Sequence, residues 1–142
     1  MIRKDLMEKT FVIVKPDGIK AHHIGDILSR FEHANLKLEF IKLTQLTRAQ
    51  CEVHYAQHIG KPFFEDLVSY MTDGPVVGMI LSGTDAIAQV RKMAGATDPS
   101  QADPGTIRGD YATSIDRNIV HTSDSESAVK REFANIFPGE TL

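Results

Sequence analysis

The chain has 142 residues, 42% hydrophobic and 25% charged, with 16 Lys and Arg against 19 Asp and Glu for a formal charge of −3. That length suits a single domain, 1–142, burying roughly two-thirds of its unfolded surface. The acidic balance excludes a global field for nucleic acid, so no dedicated nucleic-acid partner is expected and any bound anion must be met by a few aimed cations. The single Cys51 excludes an internal disulfide and a cysteine zinc cluster. Met1 to Thr10 lacks the apolar core of a signal peptide, and no stretch approaches membrane-spanning length; a cytoplasmic address without a membrane partner is expected.

Phe11 to Val14 is a continuous apolar run ended by Lys15-Pro16-Asp17-Gly18, which predicts a buried strand and a turn. Ile24, Ile27, Leu28 and Phe31 fall on one helical stripe. Leu36, Leu38 and Phe40 alternate as a half-buried strand. Thr47 caps a helix expected to run to about His58, with Gly60 as its stop. Pro62 opens the next, whose stripe is Phe64, Leu67, Val68 and Met71. Pro75 to Leu81 is again a strand, and Thr84 caps a helix carrying Ile87, Val90 and Ala94. From Gly95 to Arg117 neither period holds; a long unpatterned segment inside a compact domain points to function. Ile119 to Thr122 predicts a last strand. Ser123 and Glu126 have capping-box spacing for a last helix, whose stripe is Val129, Phe133, Ile136 and Phe137. The order β-α-β-α-α-β-α-β-α predicts one four-stranded sheet covered by helices on at least one face.

Neither a Walker-type loop nor a dinucleotide-binding glycine motif is present in the sequence. His54 and His58 have metal-ligand spacing, but Tyr55 stands where a zinc protease needs Glu and no third ligand is evident, so a partly exposed helical face is the simpler reading. Three cations stand near structural stops: Lys15 after the first strand, Arg91 in the last turn of its helix, and Arg108 between Gly105 and Gly109. Each has an ordinary alternative, helix-dipole pairing for Arg91 and solvation for the others. With His121 at a strand end they form a set able to grip a polyphosphate beside an imidazole nucleophile, which in its neutral form needs no strong base to activate it. Phe63 lies one position off its helical stripe, placed either in a wide core or subunit contact or as a stacking surface.

The segments FVIVKPDGI, HYAQHIGKPFFEDLV, GPVVGMIL, GATDPSQADPGTIRGDY and RNIVHTSDSESA resemble the nucleoside diphosphate kinases, in order and over about Glu8 to Phe137. The resemblance implies a ferredoxin-like α/β (α+β) sandwich with a four-stranded antiparallel sheet, and ping-pong transfer of a γ-phosphoryl group between nucleoside tri- and diphosphates. His121 is the implied phosphoryl carrier. Glu132 would orient it, and Ser123 would add a hydrogen bond while capping the helix. Arg91, Arg108 and Thr97 are implied to grip the phosphates with Tyr55 and His58 nearby. Lys15 and Asn118 would hold the sugar 3′-hydroxyl, Lys15 also helping the transferring group. Phe63 would stack on the base, with Ile115 on its other face and Leu67 close by. Stacking reads no base edge, so base specificity should be low. The implied cofactor is Mg²⁺ carried on the phosphates, with no direct protein ligand and Asp124 as the candidate contact through water. A homo-oligomer, hexamer or tetramer, is also implied.

Two positions depart from the family pattern. Ala21-His22 replaces a frequent Arg-Gly near subunit contacts, and Thr122 replaces the Gly after the histidine, where a β-branched residue predicts ordinary backbone. Two rivals stay open: a regulatory module holding nucleotide only as a ligand, and a nucleic-acid binder using the same phosphate grip.

Overall fold

The computed structural model describes residues 7–142; Met1 to Leu6, most of the segment expected to lack a leader, lie outside the described residues. The apolar run forms β1, Met7–Val14, and the Pro-Asp-Gly turn continues as a short helix α1, Pro16–Lys20. Pro16 suits that first helical turn because its missing N–H would be unpaired there anyway. The chain then runs through α2 (Ile24–His33), β2 (Lys37–Thr44), α3 (Arg48–His54), α4 (Phe64–Met71) and β3 (Val76–Thr84). It finishes with α5 (Ala86–Ala94), α6 (Ile107–Tyr111), β4 (Val120–Thr122) and α7 (Glu126–Ile136).

The strands form one antiparallel sheet in the order β2-β3-β1-β4. β1 and β3 are central, which explains why both are nearly continuous apolar runs: each presents side chains to two cores. Phe11, Ile13 and Ile80 pack beneath α3, α4 and α7 with Phe64, Val68, Met71, Val129 and Phe133. Val12, Val14, Met79 and Leu81 pack on the opposite face against Ile27 and Phe31 of α2 and Val90 of α5. Both faces are therefore covered, giving the ferredoxin-like sandwich.

Several helix ends differ from the sequence expectation. The helix capped by Thr47 does carry a full capping box with Gln50, but it ends at His54; Tyr55 leaves helical geometry and a separate 3₁₀ turn holds Ala56–His58. α4 starts at Phe64 rather than at Pro62. Thr84 remains in β3, and Asp85 starts α5 with a left-handed φ of 51°. Ser123 does not cap α7: its hydroxyl is turned to Glu132 Oε1, and Ser125 caps instead by accepting from Ala128 N. At the two departures from the family pattern, Thr122 has ordinary strand backbone, whereas His22 adopts a left-handed φ of 65°.

Candidate active site

β4 pairs with β1 so that His121 lies opposite Ile13. Cross-strand partners share a face, which puts His121 on the side of Ile13, beneath α3 and α7. There its Nε2 is 2.8 Å from Glu132 Oε1 of α7, and the same oxygen accepts from Ser123 Oγ at 2.5 Å. A carboxylate on Nε2 assigns the proton to that nitrogen and leaves the Nδ1 lone pair free. Burial alone would raise the Glu132 carboxyl, but the hydrogen bond and charge of His121, with the Ser123 hydroxyl, outweigh it and hold it below its ordinary value. The ring of His54, on α3, meets the His121 ring edge-on at 4.5 Å. Burial, then the His121 charge, pushes His54 down to about 3, so it stays neutral and adds no repulsion near pH 7.

The segment entering β4 is strained. Ile119 has φ 75°, and Val120 N–H closes onto Asn118 O at 2.8 Å, the i-to-i+2 bond of a γ-turn. A β-branched residue held at positive φ costs about 1–3 kcal/mol and persists only where its surroundings over-determine it. Asn118 is thereby buried beside Lys15, which donates from Nζ to Asn118 Oδ1 at 2.7 Å, while Asn118 Nδ2 donates to Thr97 O at 3.2 Å. Burial, then the Arg108 charge, pushes the Lys15 ammonium down to about 8.

The unpatterned segment between α5 and β4 supplies the third cation. Thr106 caps α6 by accepting from Gly109 N, and a Cβ on Gly109 would stand 2.0 Å from Asp103 O, so only glycine permits this close approach. α6 is tied to α2 by Arg30, which donates to Asp110 Oδ2 at 2.7 Å and Gly105 O at 3.2 Å. So anchored, Arg108 reaches inward and donates to Gly95 O and Val120 O at 2.7 and 2.8 Å. Burial, then the Arg91 charge, lowers its guanidinium to about 10. Arg91, in the last turn of α5, donates weakly to Thr122 O at 3.4 Å.

These groups line one cleft of about 560 Å³ that brings together Lys15, Tyr55, His58, Arg91, Thr97, Arg108, Asn118, Asp124, His121 and Glu132. Ser123 is buried behind Glu132. Phe63, Leu67 and Ile115 lie outside this cleft. Phe63 is 44% exposed and stands edge-on to His58 at 5.2 Å, Ile115 is 54% exposed, and Leu67 packs on the core. Among the described residues, five buried side-chain polar atoms find no protein partner, and four of them are on cleft residues: His54 Nδ1, Tyr55 Oη, His58 Nδ1 and Arg108 Nε. Such groups are normally satisfied, and their concentration in one place marks a polar ligand site.

Arg131 also lines the cleft with no signal in the sequence, and so does His54, which the sequence offers only as a metal-ligand partner of His58. The signal for His54 was its spacing from His58, but the break at Tyr55 takes the pair off one helix. His54, His121 and Glu132 do bring three donor atoms within 4.8 Å of one another. The short Glu132 bond to His121 makes this a ring-orienting network. The arrangement as a whole can hold a chain of phosphates between buried cations with an imidazole nitrogen aimed at it.

Comparison with known proteins agrees. The family model for nucleoside diphosphate kinase matches residues 8–142. A nucleoside diphosphate kinase of Listeria monocytogenes serotype 4b is 53% identical over 137 residues, covering 96% of this chain and 93% of its own. One from Sulfurisphaera tokodaii is 50% identical, with coverage of 96% and 92%. The solved structure of a halophilic nucleoside diphosphate kinase from Halobacterium salinarum in complex with CDP superposes with a TM-score of 0.89 at 47% identity, covering 93% of this chain and 88% of that one. The chain belongs to the nucleoside diphosphate kinase family, and its function is that of a nucleoside diphosphate kinase.

Proposed function

We propose that the exchange runs through a phosphorylated His121 in a single catalytic domain. The observation that carries this is the pairing of His121 Nε2 with Glu132, which leaves Nδ1 as the nucleophile among Lys15, Arg91 and Arg108. The Nδ1 lone pair attacks the γ-phosphorus and an N–P bond forms. The bond from that phosphorus to the β,γ-bridging oxygen breaks, and the nucleoside diphosphate leaves. A second diphosphate then attacks with a terminal β-phosphate oxygen, the N–P bond breaks, and the imidazole is restored. Nε2–H stays on Glu132 throughout, so Glu132 and Ser123 orient the ring and stabilise its positive charge. Arg91, Arg108 and Thr97 hold the phosphates, with Tyr55 and His58 as further donors from the α3 side. Lys15 and Asn118 hold the sugar 3′-hydroxyl.

Glu132 is committed to His121 and Ser123, leaving Asp124 as the other carboxylate lining the cleft. That donor set is too sparse to hold a bare ion, and it fits Mg²⁺ that travels on the nucleotide and keeps most of its waters, with Asp124 reaching it through one. Bound there, Mg²⁺ supplies charge neutralisation across the phosphates. No helix among the described residues is long and apolar enough to cross a membrane. A cytoplasmic homo-oligomer, hexamer or tetramer, completes this reading. β2 ends the sheet with Ile41 and Leu43 exposed, the kind of edge that natural proteins cover.

Incubation with γ-labelled ATP followed by nucleotide removal should leave acid-labile, alkali-stable label on the peptide containing His121. Label elsewhere, or none, refutes the proposal and favours a module that only binds nucleotide.

Phe63 with Ile115 and Leu67 forms the base-stacking rim in this reading, and the CDP held by the Halobacterium salinarum relative fits a platform that ignores base identity. Phe63→Ala should weaken purine and pyrimidine nucleotides alike by about 1–3 kcal/mol, measured by titration calorimetry, with an unchanged melting curve. Unfolding with intact affinity would return Phe63 to a structural role.

The pH profile offers a separate check. Lys15 titrates near 8 in the free protein, so kcat/KM, which reports the free enzyme, should fall as pH rises through about 8. In Lys15→Arg, whatever activity remains should lack that alkaline limb, because guanidinium stays charged.

A further inference from the structure

Lys15-Pro16-Asp17-Gly18 contributes more than its lysine. Pairing of β4 with β1 covers only Val120 to Thr122, so the sheet does not itself fix Asn118 and Ile119. The strained turn is instead held from both sides by the segment after β1. Lys15 N–H donates to Ile119 O at 2.8 Å, and Ile119 N–H donates to Asp17 Oδ2 at 3.2 Å. The other Asp17 oxygen accepts from the Tyr70 hydroxyl, on α4. Tyr70 is buried, and the Arg117 guanidinium lies 4.1 Å over its ring, so the residue entering the turn is pinned to the same brace. Gly18 completes the cradle. A Cβ there would meet Val14 Cγ1 at 2.9 Å and Ile119 Cγ2 at 3.1 Å, displacing the side chain that the turn must seat.

We infer that Asp17 is a positioning residue for the sugar end of the site: braced by Tyr70, its carboxylate holds the Ile119 turn and so presents Asn118 to Lys15 and to the 3′-hydroxyl. This rests on the reading of Lys15 and Asn118 as the sugar-holding pair. Asp17 itself lies outside the residues lining the cleft, so its effect must travel through the turn. It also links α4, whose first residue follows Phe63, to the strand that carries His121. The base-stacking and phosphoryl-carrying parts of the site thereby share one half-buried brace.

The test uses Asp17→Asn, which keeps the side chain's shape but cannot accept at both atoms. The kcat/KM for ATP as donor is compared with that for 3′-deoxyadenosine triphosphate, which has no hydroxyl for Asn118 to hold. Asp17→Asn should lose roughly tenfold with ATP, the scale of one or two misplaced hydrogen bonds, and less than twofold with the 3′-deoxy donor. Tyr70→Phe, which keeps its ring beneath Arg117, should give the same pattern more weakly, and it serves as the test should Asp17→Asn not fold. Equal losses on both donors, or no loss on either, overturn the inference. A wild-type enzyme that does not distinguish the two donors overturns instead the assignment of Lys15 and Asn118, a separate result.

Discussion

His121→Ala is expected to lower phosphoryl exchange by more than roughly 10⁴-fold, in line with deletion of a covalent nucleophile in other enzymes. Nucleotide should still bind. Lys15, Arg91, Arg108 and Asn118 come from the residue after β1, α5, α6 and the segment before β4, and none depends on the imidazole for its hydrogen bonds. Fold stability should change little, since His121 is only partly buried and its partner Glu132 keeps Ser123. Stopped-flow transfer assays together with calorimetric binding of a diphosphate separate the two effects. Residual exchange near the wild-type rate would mean direct transfer between two bound nucleotides, with His121 a bystander.

Arg108→Ala is the second large effect. The side chain is 7% exposed and its fork spans two backbone carbonyls on either side of the cleft, Gly95 O at the end of α5 and Val120 O in β4. Its Nε is one of the five buried side-chain polar atoms without a protein partner among the described residues. In the proposed reading, removing it deletes a preorganised positive charge from the phosphate grip. A loss of roughly 10³-fold in kcat/KM is expected, the lower end for transition-state arginines in phosphoryl transfer. Arg108→Lys should recover little, because a single ammonium cannot bridge both carbonyls and still face the phosphates. Recovery to wild-type kinetics in the lysine variant would reduce Arg108 to a diffuse charge. Thermal melts on both variants distinguish lost chemistry from lost tethering of α6.

The central strands could be read from sequence because Phe11–Val14 and Val76–Leu81 face two cores at once and are apolar throughout. The stripes of α2, α4 and α7 were equally visible, since each packs one face on the sheet. Helix starts were harder. Ser123 and Ser125 both satisfy cap chemistry, and what separates them is a tertiary claim on the Ser123 hydroxyl by Glu132, which local spacing does not encode. Asp85 begins α5 from a left-handed conformation that a propensity for Thr84 cannot anticipate. The Gly95 to Arg117 segment showed no period because polar ties hold it in place, from Arg30, Asp110, Asp103 and Thr106. Its one α-helix is five residues long, too short for a stripe. Among the site residues, Lys15, Arg91, Arg108 and His121 stood out by type and position, and the roles assigned to them came from resemblance. Helical spacing pairs His54 with His58, as a candidate metal-ligand pair, and not with His121, 67 positions further on and adjacent only after folding.

The burial of Lys15 has a consequence for the protein's tolerance of pH. Its ammonium is held near 8 in the fold against 10.5 for a free lysine, so the folded state disfavours the proton. The penalty is complete below pH 8 and fades as pH rises from 8 toward 10.5; from this residue, resistance to unfolding grows across the interval in which turnover declines. A bound polyphosphate reverses the balance by rewarding the charged form, so substrate raises the melting temperature most where Lys15 is protonated. At a hundredfold excess over Kd, ligand linkage of this kind contributes about 2.7 kcal/mol. Near neutral pH the buried ammonium thus weakens the free fold, and a bound polyphosphate returns what that charge costs.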